Sequence, residues 1–226
     1  MKKIISITLV LLFALALFAC GGSDESGEVS TLVVTSNTEK FYTDMDKNSF
    51  YFKMNFTQDG EKCVFEQATN GKNCTTRKDF DDDTKDIYDI FNGTQVDHIV
   101  VAEKLINTTV TKSGQNFLFK DYKASSFAHP NKTEDREYNG KQHKCEIFLT
   151  SWEAGGEIDG ENRYYYDGDK LVCVEIVQKG EIIMLMEFLE YGNTIPDNIF
   201  VETPADYKKG NIEFEVSVDT SGWWDD

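Results

Sequence analysis

Few residues in the sequence are spaced for catalysis or metal binding. The chain has three histidines and five cysteines. No C-x-x-C pair of the kind that binds zinc occurs among the last four cysteines, which are Cys63, Cys74, Cys145 and Cys173. His143 and Cys145 share one face of a predicted strand, but a metal site needs a third ligand, so we expect His143 to be a solvent-facing strand residue. Nucleophile elbows, zinc-protease helices, Walker loops and dinucleotide-binding glycine motifs are missing from the sequence. We therefore expect no enzyme, no cofactor and no metal.

An acidic run at residues 79 to 86, DFDDDTKD, is typical of calcium binding, because carboxylates at alternate positions can converge on a hard cation. If Asp79 takes the first position of an EF-hand loop, Thr84 stands where that loop needs glycine and Ile90 where it needs a bidentate Glu. We therefore interpret the run as a solvated loop between two strands.

The whole chain is strongly acidic. Its formal charge is −17, and the charge becomes more negative if Lys2 and Lys3 are removed with a leader. This balance argues against a nucleic-acid partner, because such binding depends on Lys and Arg neutralising phosphates. It also opposes flat binding to anionic lipids.

The first twenty residues are typical of a bacterial lipoprotein signal peptide. Lys2 and Lys3 give a positive start, and the apolar stretch at residues 4 to 19 is shorter than the roughly 20 residues that span a bilayer as a helix. It ends in Leu-Phe-Ala-Cys, which resembles the lipobox, in which the thiol of the cysteine, here Cys20, takes a diacylglycerol. Phe18 is larger than the small residue usual at its position, so a secretory signal with an incidental cysteine stays open as the alternative.

This signal predicts the domain organisation and the location. Residues 1–19 are the signal peptide, residues 20–30 the lipidated cysteine and a flexible tether, residues 31–218 one domain, and residues 219–226 an acidic tail with two tryptophans. Acyl chains of the palmitate type then hold the protein at a membrane without a spanning helix. We expect it at the outer face of a bacterial cytoplasmic membrane, or in the periplasm or outer membrane of a Gram-negative cell.

Six Asn-Gly or Asp-Gly pairs punctuate the folded part, and they begin at residues 59, 70, 92, 139, 159 and 167. Such pairs tolerate the positive φ that two-residue hairpin turns require. Most are flanked by β-rich runs, so the sequence predicts a serial antiparallel meander with few helices.

Export permits disulfides, and the four cysteines beyond Cys20 can pair in three ways. If residues 70 and 71 form a two-residue turn, Cys63 lies opposite Lys78 and Cys74 opposite Gln67. The two cysteines are then offset by four residues along paired strands, which is too far for a bond. The strand NRYYY lies between the strands of Cys145 and Cys173, and two strand spacings are again too far. The sequence predicts that neither of these two bridges forms, and it leaves the other pairings open.

Two runs differ in how many of their faces are apolar. YFKMNFT, residues 51 to 57, is half-buried: Phe52, Met54 and Phe56 share one face and polar residues the other. IIMLMEFL, residues 182 to 189, is apolar on both faces except at Glu187, so a second apolar layer must cover it. One of its faces is predicted to hold Ile182, Met184, Met186 and Phe188, and the other Ile183, Leu185 and Leu189.

Short helices are the predicted cover. Ser36 to Glu39 matches a capping box and favours a helix over residues 37 to 46, and a second helix is expected at residues 116 to 127. Helices this short cover only part of the apolar surface, which leaves room for a cleft. The candidate ligand-binding side chains are Phe52, Met54, Phe56, Met184, Met186 and Phe188.

The stretch from YYYDGDKLVCVEIV to FLEYGNTIPDNIFVETPADYKKG resembles the closing strands of the LolA/LolB-like lipoprotein-carrier superfamily, including lipid-anchored Gram-positive relatives. The matching residues are Asp167, Gly168, Lys170, Leu171, Ile195, Pro196, Phe200, Pro204, Tyr207 and Lys208. The resemblance covers roughly residues 135 to 210. It implies a mainly β (α+β) fold, with a curved antiparallel meander sheet forming an unclosed barrel, capped by a few short helices and able to hold an acyl chain. The soluble carriers lack a lipid anchor, however, and their key arginine has no counterpart here.

Two functions follow from these patterns and from the resemblance. The first is a surface-anchored lipoprotein that binds a lipid or another hydrophobic ligand. The second is a non-enzymatic surface interaction or structural lipoprotein with a filled core. A cavity lined by Phe, Met and Tyr favours the first, and a solid core the second. The expected partners are a membrane, through the anchor, and an acyl chain or other apolar ligand; no protein partner is predicted.

Overall fold

The computed structural model describes residues 36–45, 49–71, 73–81, 86–91, 95–110, 123–151, 158–197, 199–200 and 204–210. These residues form a mainly β structure built on one curved sheet of twelve strands. The predicted signal peptide, Cys20, the tether and the C-terminal acidic tail lie outside them.

The elements follow the chain in the order of a long meander with short helical insertions. They are α1 (Asn37–Met45), β1 (Phe50–Gln58), β2 (Glu61–Thr69), β3 (Cys74–Phe80), β4 (Ile87–Phe91), β5 (Gln95–Val100), β6 (Leu105–Val110), a 3₁₀ helix (Ala124–Phe127), β7 (Lys132–Tyr138), β8 (Lys141–Thr150), β9 (Gly160–Asp167), β10 (Lys170–Gln178), β11 (Glu181–Gly192) and β12 (Lys208–Lys209). None of the helices in the described ranges is long and apolar enough to cross a bilayer.

The sheet consists of two meanders joined in the middle. Its strand order is β12-β6-β5-β4-β3-β2-β1-β11-β10-β9-β8-β7. Antiparallel pairing of β1 with β11 joins the two halves, while β12 adds to β6 in parallel. Strands β6 and β7 are consecutive in the chain but lie at opposite sides of the sheet, so the sheet does not close into a barrel. The predicted fold class, a curved antiparallel meander that stays open, is confirmed.

Helix α1 begins where the capping box predicts. The Ser36 hydroxyl accepts a hydrogen bond from the backbone nitrogen of Glu39 at 2.9 Å, which satisfies one of the unpaired N–H groups of the first turn. The helix ends at Met45, one residue before the predicted end. Most of the second predicted helix lies outside the described residues, and Ala124–Phe127 at its end forms a 3₁₀ turn.

The hairpin turns match the Asn-Gly and Asp-Gly pairs only in part. Asp59-Gly60 and Asn139-Gly140 are two-residue turns with positive φ at both positions, as predicted. The pair at residues 167 and 168 is displaced by one, because Asp167 pairs with Lys170 and the turn is Gly168-Asp169. The pair at residue 159 is not a hairpin turn, since Gly160 already begins β9. The pair at residue 92 lies outside the described residues.

The register between β2 and β3 differs from the predicted one. Cys63 lies opposite Phe80 rather than Lys78, and Cys74 lies opposite Thr69 rather than Gln67. The loop is two residues longer because the Asn70 side chain accepts a hydrogen bond from the Asn73 backbone nitrogen at 2.8 Å. The offset between Cys63 and Cys74 is therefore larger than predicted.

All four described cysteines are free and buried. Cys145 and Cys173 both pair in register with Tyr165, so β9 separates them, as predicted. Neither of the two excluded bridges is compatible with this sheet.

The two faces of the sheet carry different cores. We call the face that bears Phe52, Met54 and Phe56, against which α1 packs, the helix face; it holds the largest apolar cluster. The opposite face holds a smaller cluster around Tyr165 and another in which Ile199, from the segment that follows β11, packs against β1 and β2.

Candidate functional site

The six predicted ligand-binding residues lie together on the helix face. Met54 pairs with Phe188 and Phe56 pairs with Met186, which places the side chains of β1 and β11 next to one another at the centre of the sheet. All six belong to one buried cluster: Phe52, Met54, Phe56, Met184, Met186 and Phe188. Their relative exposures range from 0% for Met54 to 7% for Phe188.

The alternation of β1 explains why these side chains share a face. Side chains i and i+2 of a strand point the same way, and the two intervening residues that face the other way, Lys53 and Asn55, are polar and only half-buried. Phe65 on β2 extends the apolar surface, because it pairs with Met54 and stacks on Phe52 with ring centres 5.7 Å apart.

Two irregularities change the predicted faces of β11. The register between β10 and β11 shifts beside Val177. Ile182 therefore leaves the helix face and is 53% exposed, whereas Ile183 packs against the helix-face cluster. Leu189 is bulged out of the pairing with β1 and is 48% exposed. The predicted positions of Ile182 and Ile183 are therefore wrong, and the expected second layer covers Leu185 but not Leu189.

Helix α1 covers part of the helix face with two aromatic rings. Phe41 makes edge contacts with Phe188 and Tyr191, with ring centres 5.5 and 5.4 Å apart. Tyr42 stacks on Phe127 of the 3₁₀ helix at 4.1 Å, and its hydroxyl lies 3.0 Å from that of Tyr164. The cover of this face is therefore aromatic and comes from two separate elements.

A buried carboxylate fastens the start of α1 to the sheet. Glu146 on β8 is 2% exposed and accepts hydrogen bonds from the backbone nitrogens of Asn37 and Thr38 at 3.1 and 3.0 Å. These N–H groups have no partner inside the helix, and the helix dipole favours a negative charge at this end. Glu146 was not predicted from the sequence; its signal is a single charge within the short run CEIFL, residues 145 to 149.

Charged residues follow the apolar surface on the next strands. Lys78 on β3 pairs with Phe65, and its ammonium lies 5.9 Å from the centre of that ring. His98 on β5 pairs with Asp89 on β4, and its Nδ1 lies 2.6 Å from a carboxylate oxygen. The hydrogen bond to Asp89 raises the pKa of His98, whereas burial lowers the pKa of Lys78. Lys78, Asp89 and His98 were not predicted as a group from the sequence, because they come from three separate strands.

The histidine and cysteine considered for metal binding lie on the opposite face. His143 is buried and 8% exposed, so the prediction that it faces solvent is wrong. It lies at the edge of the Tyr165 cluster, with its ring centre 6.2 Å from that of Tyr138. Burial raises the pKa of Cys145 to about 12, which makes its thiol a poor metal ligand at neutral pH.

The acidic run begins within β3 and leads to β4. Asp81 is exposed, and Asp86 is buried and accepts a hydrogen bond from the Phe80 backbone nitrogen at 2.8 Å. Residues 82 to 85 lie outside the described residues. In the ranges that the structure describes, no three His, Cys, Asp or Glu side chains converge as a metal site would require.

Comparisons with known proteins concern the fold. No protein-family model matches the sequence, and no curated protein matches it. A similar solved structure is an uncharacterized conserved protein from Thermus thermophilus, with a TM-score of 0.48 and 7% identity over 76% of this chain and 96% of that protein. MucB gives a TM-score of 0.44 and 9% identity over 79% of this chain and 66% of MucB.

A LolA superfamily protein from Nitrosomonas europaea is also similar, with a TM-score of 0.40 and 10% identity over 77% of this chain and 99% of that protein. Identities this low bear on the fold alone. With TM-scores below 0.5 as well, these similarities concern no more than the arrangement of an open, curved sheet.

Proposed function

We propose that the folded part of this chain binds an apolar ligand of the acyl-chain class on the helix face of its sheet. The observation that carries the proposal is the unbroken set of Phe and Met side chains on β1 and β11, the strands that join the two halves of the sheet. A ligand at this central position is shielded from water by strands on both sides. The proposal involves no catalytic step.

The composition of the surface suits a flexible ligand. Met54, Met184 and Met186 contribute three of its side chains, and the unbranched thioether adapts to irregular shapes at low energetic cost. Phenylalanine adds large apolar area without a polar group that needs a partner.

Ligand entry requires movement of the cover. Met54 is fully buried and none of the six side chains is more than 7% exposed, so the ligand cannot reach them while the described cover stays in place. Helix α1 is the element that we propose to move. It has nine residues, fewer than the roughly 12 to 15 that an isolated helix needs in water, and it depends on its contacts with the sheet.

The lipid anchor and the location are part of the proposal. The lipobox-like sequence at Cys20 supports attachment to a membrane, and the signal sequence supports export. An anchored domain of this kind meets lipids at the surface to which it is tethered. A membrane and its lipids are therefore the proposed partners.

A filled core is the second candidate. The complete burial of Met54 favours it, because a fully covered side chain leaves no open cleft at that position. A surface protein that uses the same sheet as a scaffold needs no such cleft. In that case the anchored domain is a surface interaction or structural lipoprotein whose binding site lies elsewhere.

Native mass spectrometry of the full anchored protein, with solvent extraction of lipids, separates the two candidates. The expected result is one extractable acyl-chain molecule per protein in addition to the covalent anchor. Protein that contains no extractable lipid, and that takes up no photoactivatable fatty acid in membranes, would establish the filled core instead. Met54→Gln should reduce the amount of extractable lipid. Leu185→Gln is its control, because Leu185 lies on β11 beside the site but packs against the opposite face.

A further inference from the structure

One row of side chains leads from the proposed ligand site to a positive charge. Met54 pairs with Phe65 and Phe65 pairs with Lys78, so these three residues lie side by side across β1, β2 and β3. Two strand spacings of about 4.8 Å place the Lys78 backbone about 10 Å from that of Met54. An ammonium group therefore borders the apolar surface of the helix face within the length of a short acyl chain.

The Lys78 ammonium has no carboxylate within ion-pair distance among the described residues. Its described contact is with the Phe65 ring, at 5.9 Å from the ring centre. Burial lowers the pKa of Lys78, because removal from water disfavours the charged form. An anion placed beside it would supply the missing compensation.

A second side chain that can carry a positive charge interacts with the first. His98 is hydrogen-bonded to Asp89, and this bond favours the imidazolium form. Lys78 interacts electrostatically with both residues, since its charge lowers the pKa of His98 and Asp89 favours the charged form of Lys78. Lys78 and His98 thus share the influence of one carboxylate, that of Asp89, in a chain whose formal charge is −17.

We propose that the ligand is a single-chain amphiphile with an anionic headgroup, of the fatty-acid class. Its chain lies along Met54 and Met186, and its carboxylate binds the Lys78 ammonium with His98 as a second donor. The inference rests on the proposed function and specifies the ligand of the same site. Charge complementarity carries it: an apolar surface bordered by a half-buried cation that has no ion-pair partner among the described residues fits a molecule that is apolar along its length and negative at one end.

Photolabelling of the full-length anchored protein in its membranes tests the headgroup. The probes are diazirine derivatives of hexadecanoic acid and of hexadecanol, which differ only in the headgroup. We expect the acid to label the strands of the helix face more strongly than the alcohol. Lys78→Met should lower labelling by the acid about tenfold, as expected for loss of a charge-assisted hydrogen bond, and leave labelling by the alcohol within about twofold.

Lys62→Met is the matched control, because Lys62 is exposed and lies on the other face of β2. Lys78→Arg keeps the charge and should retain most of the labelling by the acid. If Lys78→Met fails to fold, competition in the wild type gives the answer: octanoate should compete more strongly than octanol, and acetate not at all. Competition by acetate as strong as that by octanoate would mean that the site binds small anions without an acyl chain. This result would overturn the inference that the ligand is an amphiphile.

The outcomes distinguish this inference from the proposed function. Equal labelling of the wild type by acid and alcohol, with no change in Lys78→Met, overturns the headgroup assignment and leaves the apolar site in place. Absence of labelling by both probes overturns the apolar site itself and the headgroup inference with it.

Discussion

Glu146 and Thr38, which are 108 residues apart in the chain, are joined by two hydrogen bonds to one carboxylate oxygen. The backbone nitrogen of Thr38 donates at 3.0 Å and its hydroxyl at 2.7 Å. The same hydroxyl lies 2.8 Å from that of Tyr166 on β9. The first turn of α1 is thus fixed to two strands of the sheet by buried polar contacts, and the aromatic rings of Phe41 and Tyr42 pack the next turn against the helix face.

Replacement of Glu146 by Gln is expected to loosen this cover. The substitution keeps the size of the side chain but removes the charge at the positive end of the helix, so the free energy of unfolding should fall by about 1–3 kcal/mol. Amide hydrogen exchange in residues 37 to 45 should become faster than in the strands. Urea denaturation and exchange mass spectrometry measure both effects. Glu137→Gln, at an exposed position on β7, is the control; equal exchange in the two variants would contradict the fastening role.

Local patterns predicted the parts of this fold that depend on neighbours in sequence. The capping box at Ser36 located α1 to within one residue, and the alternation around Met54 gave the correct face of β1. Both signals are contained within one element, because helix capping and strand alternation are local effects.

The features that the sequence did not predict arise from contacts between distant residues. The pairing of β1 with β11 and the bulge at Leu189 depend on two strands that lie more than a hundred residues apart. Lys78, Asp89 and His98 come from three strands, and none carries a local pattern that marks it as part of a site. The longer β2–β3 loop is a partial exception, since Asn70 is a known turn former whose side-chain bond changed the expected register.

The His98–Asp89 pair predicts a pH-dependent contribution to stability. The folded state raises the pKa of His98 above its unfolded value of about 6.5, so the contribution is fully present below that value. It is lost as the pH rises through the folded pKa. The difference in unfolding free energy between wild type and His98→Gln should therefore be largest below about pH 6.5 and shrink as the pH rises through the folded pKa. Urea titrations at several pH values measure this difference, and a constant value would contradict the pair.

The buried cysteines should be unreactive in the folded protein. Burial raises the pKa of Cys63 to about 11 and that of Cys173 to about 12. At pH 8 only about one Cys173 thiol in ten thousand is then the reactive thiolate. Iodoacetamide should modify these residues slowly without denaturant and rapidly with it. Non-reducing peptide mapping should find neither a Cys63–Cys74 nor a Cys145–Cys173 bridge; either one would require a different sheet register.

Cys20 is expected to carry the lipid. Cys20→Ser removes the thiol that accepts the diacylglycerol, so the protein should leave the membrane fraction or accumulate in full-length or differently processed forms. Metabolic labelling with a radioactive fatty acid measures this directly. Unchanged labelling of the Cys20→Ser protein would mean that the fatty acid is attached to another residue, and would contradict lipidation at Cys20.

Met54→Gln tests the apolar site with little change in side-chain size. Met54 is fully buried at the centre of the helix face, so an amide there loses its hydrogen bonds to water, and the free energy of unfolding should fall by about 1–3 kcal/mol. Stability alone does not separate a ligand site from a filled core. Leu185→Gln on the opposite face provides the comparison, because it also places an amide against an apolar cluster on β11. If the helix face binds an acyl chain, photolabelling by the fatty acid should fall several-fold in Met54→Gln and remain near the wild-type level in Leu185→Gln. Equal labelling of the two variants would mean that the fatty acid does not bind at this surface.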